Sequence, residues 1–174
     1  MSKAFTKDDA WDEPVVVPPR PPLPAGVPNY VTPRGLRLLR AELAELEAER
    51  HRLDSARSDD VEWRRHQTVM ARRLAELTAR LASAEVIDPR RQPHDRVRFG
   101  ASVMLRTVAG DRAGEERRLS IVGVDEADAS TGRVAFVAPI ARAVLGCAVG
   151  ETVSLDTPRG EELLEIVSID FAPA

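Results

Sequence analysis

The chain has 174 residues, with 25 Lys and Arg against 28 Asp and Glu and a formal net charge of −3. That length suits one compact domain, or one small domain carrying an extended element. The near-neutral balance argues against a protein that lives by sheathing phosphate, and 4% aromatic residues argue against a stacking platform for single strands. Cys147 is the lone cysteine, so there is no internal disulfide and no thiolate metal site, as suits a reducing cytoplasm. No apolar run is long enough to span a membrane, and Met1 is followed by a polar stretch rather than an apolar signal core. The expected location is cytoplasmic, with no membrane association.

Eight of the thirteen prolines fall between Pro14 and Pro33. Such spacing neither pairs strands nor propagates a helix, so residues 1–29 read as a disordered, polyproline-like arm. At Thr32 the texture changes. Thr32 is placed to cap free amides, and Pro33 sits where a missing N–H costs nothing. Leu36, Leu39, Leu43, Leu46 and Leu53 then step by threes and fours, with Arg50 filling one gap. A second seam runs through Trp63, Gln67, Met70, Leu74, Leu77, Leu81 and Ala84. The polar joint between them predicts an antiparallel coiled-coil hairpin over residues 30–88, with arms of about 24 residues or 36 Å. A single long helix in an intermolecular coiled coil is the alternative.

Pro89 and Pro93 end the second arm, and residues 89–174 form a second unit. ASVMLRTV, RRLSIVGV, RVAFVA, ETVSLDT and LLEIVSIDF read as strands separated by Gly- and Asp-rich turns. PIARAVLG is one short helix between the third and fourth strands, with Gly146 as its stop. The fold class is α+β: a hairpin, then a mostly antiparallel sheet with one short helix on it.

Catalytic constellations are scarce. His51, His66 and His94 stand in no zinc frame, no serine occupies a nucleophile elbow, and no glycine loop matches a phosphate fingerprint. GVDEADAS lacks the spacing of a calcium loop and reads as a solvated turn. The hairpin tip is different. Asp59, Asp60 and Glu62 gather three carboxylates beside Ser58 at the end of a two-helix lever. Acids there complement the dipole of the second helix; they hold a metal only where an outside partner supplies the remaining ligands. Arg64 and Arg65 follow, as candidate phosphate contacts.

The segments YVTPRGLRLLRAEL, AEVIDP, RVRFGASV, RLSIVGVDEAD, APIARAVLG, VGETVSLDTPRGE and EIVSIDF strongly resemble the bacterial Gre transcript cleavage factors, GreA and GreB, from about Tyr30 to Phe171. The resemblance implies a coiled-coil hairpin followed by a domain of the FKBP-like fold. It implies a monomer that docks on core RNA polymerase at the rim of the secondary channel, through a turn matching Pro139, Ile140, Ala141 and Arg142. The hairpin would enter the channel and meet the nascent RNA 3′ end there. Its tip acids would help hold polymerase-bound Mg²⁺ and orient water, so that the polymerase itself cleaves backtracked RNA. Such a factor has no cofactor or catalysis of its own. Asp59 and Glu62 reproduce the family's acidic spacing, with Asp60 as the substitute in another register. Arg64 and Arg65 would lie nearest the RNA, and direct binding to DNA would be weak.

Two departures set a second reading beside this one. Glu62 is followed by Trp63-Arg64-Arg65, where Gre tips usually continue Glu-Asn-Ala-(Asp/Glu)-Tyr. The chain is also about a dozen residues shorter between Val31 and Asp88, which at helical rise leaves the tip about 9 Å short. A secondary-channel regulator or inhibitor that does not stimulate cleavage follows from these departures. A peptidyl-prolyl isomerase, suggested by fold analogy alone, would need an aromatic pocket, and the domain offers only Phe99, Phe136 and Phe171. A dimerising coiled-coil scaffold is the third class.

Overall fold

The computed structural model describes residues 20–56 and 60–171. Most of the proline-rich arm, together with Arg57, Ser58 and Asp59 at the hairpin turn, therefore lies outside the described residues. Helix α1 (Pro33–Ser55) starts where Thr-Pro predicts, with the Thr32 hydroxyl oxygen accepting from the Gly35 amide at 2.9 Å. Helix α2 (Val61–Ala82) runs back along it. Leu39 and Leu46 of α1 are buried against Met70, Leu74 and Leu77 of α2, and Leu36, Leu43, Leu53 and Leu81 pack at the margins. Both seams are thus satisfied within one chain, which sets aside the single long helix. At 23 and 22 residues the arms span about 34 Å.

The base of the hairpin is built more firmly than its sequence suggests. Strands β1 (Asn29–Val31) and β2 (Ala84–Val86) pair in parallel, Tyr30 opposite Glu85. The Asn29 amide donates to the Arg80 carbonyl at 2.7 Å, tying strand to helix. Of the arm expected over residues 1–29, residues 20–29 are described. From Arg20 onward its described part is fixed, because Arg20 forms ion pairs with Glu42 and Asp125 and the Pro21 carbonyl accepts from Arg80.

Five strands make the second unit: β3 (Ser102–Ala109), β4 (Glu116–Val122), β5 (Arg133–Ala135), β6 (Thr152–Thr157) and β7 (Gly160–Asp170). Their order is β5-β4-β3-β7-β6, antiparallel except for the β4–β5 pair. Irregularities in the β3–β7 register, after Met104 and after Thr107, bend this central pair. Val103, Leu105, Leu119, Ile121, Leu164 and Ile166 point to one face and form the core with Ala141 and Val144 of helix α3 (Pro139–Val144). The predicted strand RVAFVA is cut short. After Phe136 donates to Val122, Ala138 turns back to Ala135, and Pro139 has no N–H to extend a ladder. Gly146, at φ +86°, follows the helix in the left-handed conformation that ends it. The result is the expected α+β arrangement of a hairpin followed by a curled, mostly antiparallel sheet. No helix among the described residues is long and apolar enough to cross a membrane.

Candidate functional site

The hairpin tip, the turn into α3, and the joint between hairpin and sheet each carry polar chemistry. At the tip, Asp60 is the N-cap of α2, its carboxylate accepting from the Glu62 amide at 3.4 Å. Glu62 stands in the first helical turn with its side chain in solvent. Asp60 therefore has a structural task, and Glu62 is the described acid free of one in the helix cap. Asp59, the other half of the predicted pair, falls outside the described residues.

The end of the lever is stiffened by side chains that cross between the arms. Trp63 donates its indole N–H to the Leu53 carbonyl at 3.1 Å, capping an end of α1 that helical geometry leaves short of donors. Gln67 donates to Asp54 at 2.8 Å. Arg64 and Arg65 are exposed on α2. Among the described residues no group of three or more His, Cys, Asp or Glu is placed to hold a metal ion. The tip offers hard carboxylate oxygens of the kind Mg²⁺ takes.

The four positions matched to the docking turn divide by burial. Pro139 opens α3 and is exposed, and Arg142 is exposed in its last turn. Ala141 is fully buried, and Ile140 packs against the sheet core. Ala141, one of the four positions expected to meet a partner, has its methyl spent on the core. Pro139 and Arg142 are the pair a partner would reach.

The joint was not legible in the sequence. Asp125 and Glu126, read there as part of a solvated turn, have side chains only 5% and 1% exposed. They sit in a single 3-10 turn (Val124–Glu126) pressed against the hairpin base. Glu126 accepts from the Thr32 hydroxyl and from Arg34 at 2.9 Å. Asp125 accepts from Arg20 at 2.6 Å and lies 3.5 Å from Arg80 Nε. Gly35 makes the approach possible, since a Cβ there would lie 2.8 Å from the Glu126 carboxylate. Tyr30 adds apolar contact, its ring 5.8 Å from Phe99 and 5.5 Å from Phe136. The local signal was a pair of acids after glycine, which reads as a turn. Their arginine partners lie far away in sequence.

At the far end of the sheet, buried Glu162 accepts from Arg112 at 2.9 Å and from Arg117 at 3.1 Å. The hydrogen bond from Arg112 holds its carboxyl below the ordinary range against the opposing effect of burial, and Arg117 adds to it.

A two-helix lever with acids at its free end, seated by a buried ionic joint on a curled sheet, defines the architecture. A family model for the C-terminal part of the transcription elongation factors GreA and GreB matches residues 92–171. Transcription elongation factor GreB of Neisseria meningitidis serogroup A is 35% identical over 157 residues, covering 82% of this chain and 94% of that protein. Transcription elongation factor GreA of Acidiphilium cryptum is 35% identical over 154 residues, covering 81% and 96%. Among solved structures, a GreA/GreB elongation factor from Nitrosomonas europaea is similar at 22% identity over 82% of this chain and 98% of that one, with a TM-score of 0.39. The chain belongs to the GreA/GreB family of transcription elongation factors.

Proposed function

We propose that this elongation factor binds core RNA polymerase through its sheet domain and directs the hairpin into the secondary channel. Tip acids there stimulate cleavage of backtracked RNA by the polymerase's own active site. The observation that carries the reading is the solvent-facing Glu62 carboxylate at the free end of a stiff lever about 34 Å long. Exposed Pro139 and Arg142 are the docking candidates, and Arg64 and Arg65 are the nearest cations to an RNA 3′ end at the tip. Asp59 and Glu62 would complete the coordination of a polymerase-held Mg²⁺, one as ligand and one holding the attacking water. The protein carries no catalysis of its own.

The test is a stalled, backtracked elongation complex incubated with the protein, with RNA shortening read on a gel. Shortening that requires Mg²⁺ and polymerase, and that Asp59→Asn abolishes without loss of binding, supports the reading. If the bound wild type does not shorten RNA, stimulation is refuted. Inserting one heptad into each arm, which extends the tip by about 10 Å, then tells whether reach was the limit.

A further inference from the structure

We propose that Arg20 is a positioning residue. By bridging Glu42 on α1 and Asp125 on the sheet domain, it turns the described end of the N-terminal segment into a strap that sets the angle of the hairpin. Its side chain is 18% exposed, one amino group on Asp125 at 2.6 Å and the other on Glu42. Burial alone would lower its pKa, but the hydrogen bonds to Glu42 and Asp125 outweigh that and raise it above the ordinary value. The next residue strengthens the strap, because the Pro21 carbonyl accepts from Arg80, the buried arginine near the foot of α2. One short segment thus touches both arms and the domain they stand on.

This role concerns direction more than stability. Buried ion pairs add little net stability once desolvation is counted, but their geometry is specific. The apolar part of the joint, Tyr30 against Phe99 and Phe136, is non-directional and tolerates rotation. Without Arg20, Asp125 keeps Arg80 Nε at 3.5 Å, a long contact, while Arg80 Nη1 has no hydrogen-bond partner. The hairpin would then be held in angle chiefly by Glu126 with Thr32 and Arg34, which grip α1 alone.

The experiment uses the full chain in a Cys147→Ser background, spin-labelled at Val69→Cys on α2 and Val108→Cys on β3, both exposed positions. Pulsed dipolar spectroscopy should give one narrow distance distribution for the parent. Arg20→Ala should at least double its width, and Arg20→Lys should recover part of the narrowness, since an ammonium meets fewer acceptor positions than a guanidinium fork. Glu42→Gln, which leaves buried Asp125 untouched, should broaden it too, and carries the test if Arg20→Ala does not fold. Distributions as narrow as the parent's in the folded variants overturn the proposal. The consequence for cleavage rests on the proposed function: Arg20→Ala should lower maximal RNA shortening with docking affinity unchanged. Because the distances are read on the free protein, a failure of that function would leave the angular result standing.

Discussion

Gly123 is the position where one methyl group tests how the lever is seated. Its backbone is extended, at φ −65° and ψ 161°, so alanine fits the conformation without strain. Space is the obstacle: a Cβ would lie 2.6 Å from the Tyr30 carbonyl oxygen, where ordinary contact begins near 3.4 Å. Strand β1 and the loop must part by about 0.8 Å, an overpacking cost of about 1–3 kcal/mol. At about 2–4 °C per kcal/mol for a chain of this size, the melting temperature should fall by about 2–12 °C. Geometry amplifies the shift. If the two arms stand about 9 Å apart at the base, a 0.8 Å wedge under one of them tilts a 34 Å lever by about 3 Å at its tip. A misplacement of about 1 Å can cost a hundredfold in rate, so Gly123→Ala should abolish most cleavage stimulation at saturating factor while docking persists. An unchanged melting temperature refutes the packing argument. Lowered stability with full cleavage activity refutes the lever argument.

The tip acids separate by role: Glu62→Gln should abolish RNA shortening in the backtracked-complex assay, whereas Asp60→Ala should chiefly cost about 1 kcal/mol of helix stability, read by circular dichroism. Equal losses of cleavage from both would show that the cap is part of the chemistry. Replacing Pro139 and Arg142 together by Ala should weaken polymerase pull-down without lowering the melting temperature by more than a few degrees, because both side chains face solvent. Undiminished pull-down would place docking elsewhere. Glu162 has a lowered carboxyl pKa, so its contribution to stability is complete above the ordinary glutamate range and is lost as pH falls through and below it. The stability gap between wild type and Glu162→Gln should therefore shrink from pH 7 toward pH 3 in denaturant titrations, and a constant gap would contradict the assignment.

What the sequence disclosed follows the range of the physical signal. The arms were legible because Leu36 to Leu53 and Met70 to Leu81 carry a repeat of threes and fours, which every turn of helix reinforces. The longer strands were legible through their alternation, Val103 and Leu105 against Leu164 and Ile166. Strands β1 and β2 were not, because three residues such as Asn29–Val31 hold no period and their partners lie beyond the whole hairpin. The joint was illegible for the same reason. Asp125 and Glu126 are buried by Arg20, Thr32, Arg34 and Arg80, residues 45 to 105 positions away or nearly so, while their immediate neighbours look like a turn. Of the candidate site, the tip could be located because it is where two seams meet, and its acidity is local. The division of the docking turn into exposed Pro139 and Arg142 and buried Ala141 depends on which face of α3 meets the sheet, which six residues of helix do not reveal.

The same burial that hid the joint predicts how salt should act on this protein. Three cations, Arg20, Arg34 and Arg80, meet three anions, Glu42, Asp125 and Glu126, so the cluster is neutral as a whole. Both acids of the 3-10 turn are shielded from solvent, and charges so placed are screened far less than exposed ones. Arg142 is exposed, and a docking contact made through it would sit at a rim where ions compete. Raising salt from 0.1 to 1 M, where the screening length falls from about 10 to about 3 Å, should release the factor from polymerase while broadening the spin-label distribution in the free protein no further than Glu42→Gln does, since Glu42 is the part-exposed member of the cluster. The two responses separate because docking and aiming use different charges. If the distribution broadens beyond that of Glu42→Gln along with the loss of binding, the joint is solvated in solution, and the hairpin is not aimed by its ion pairs.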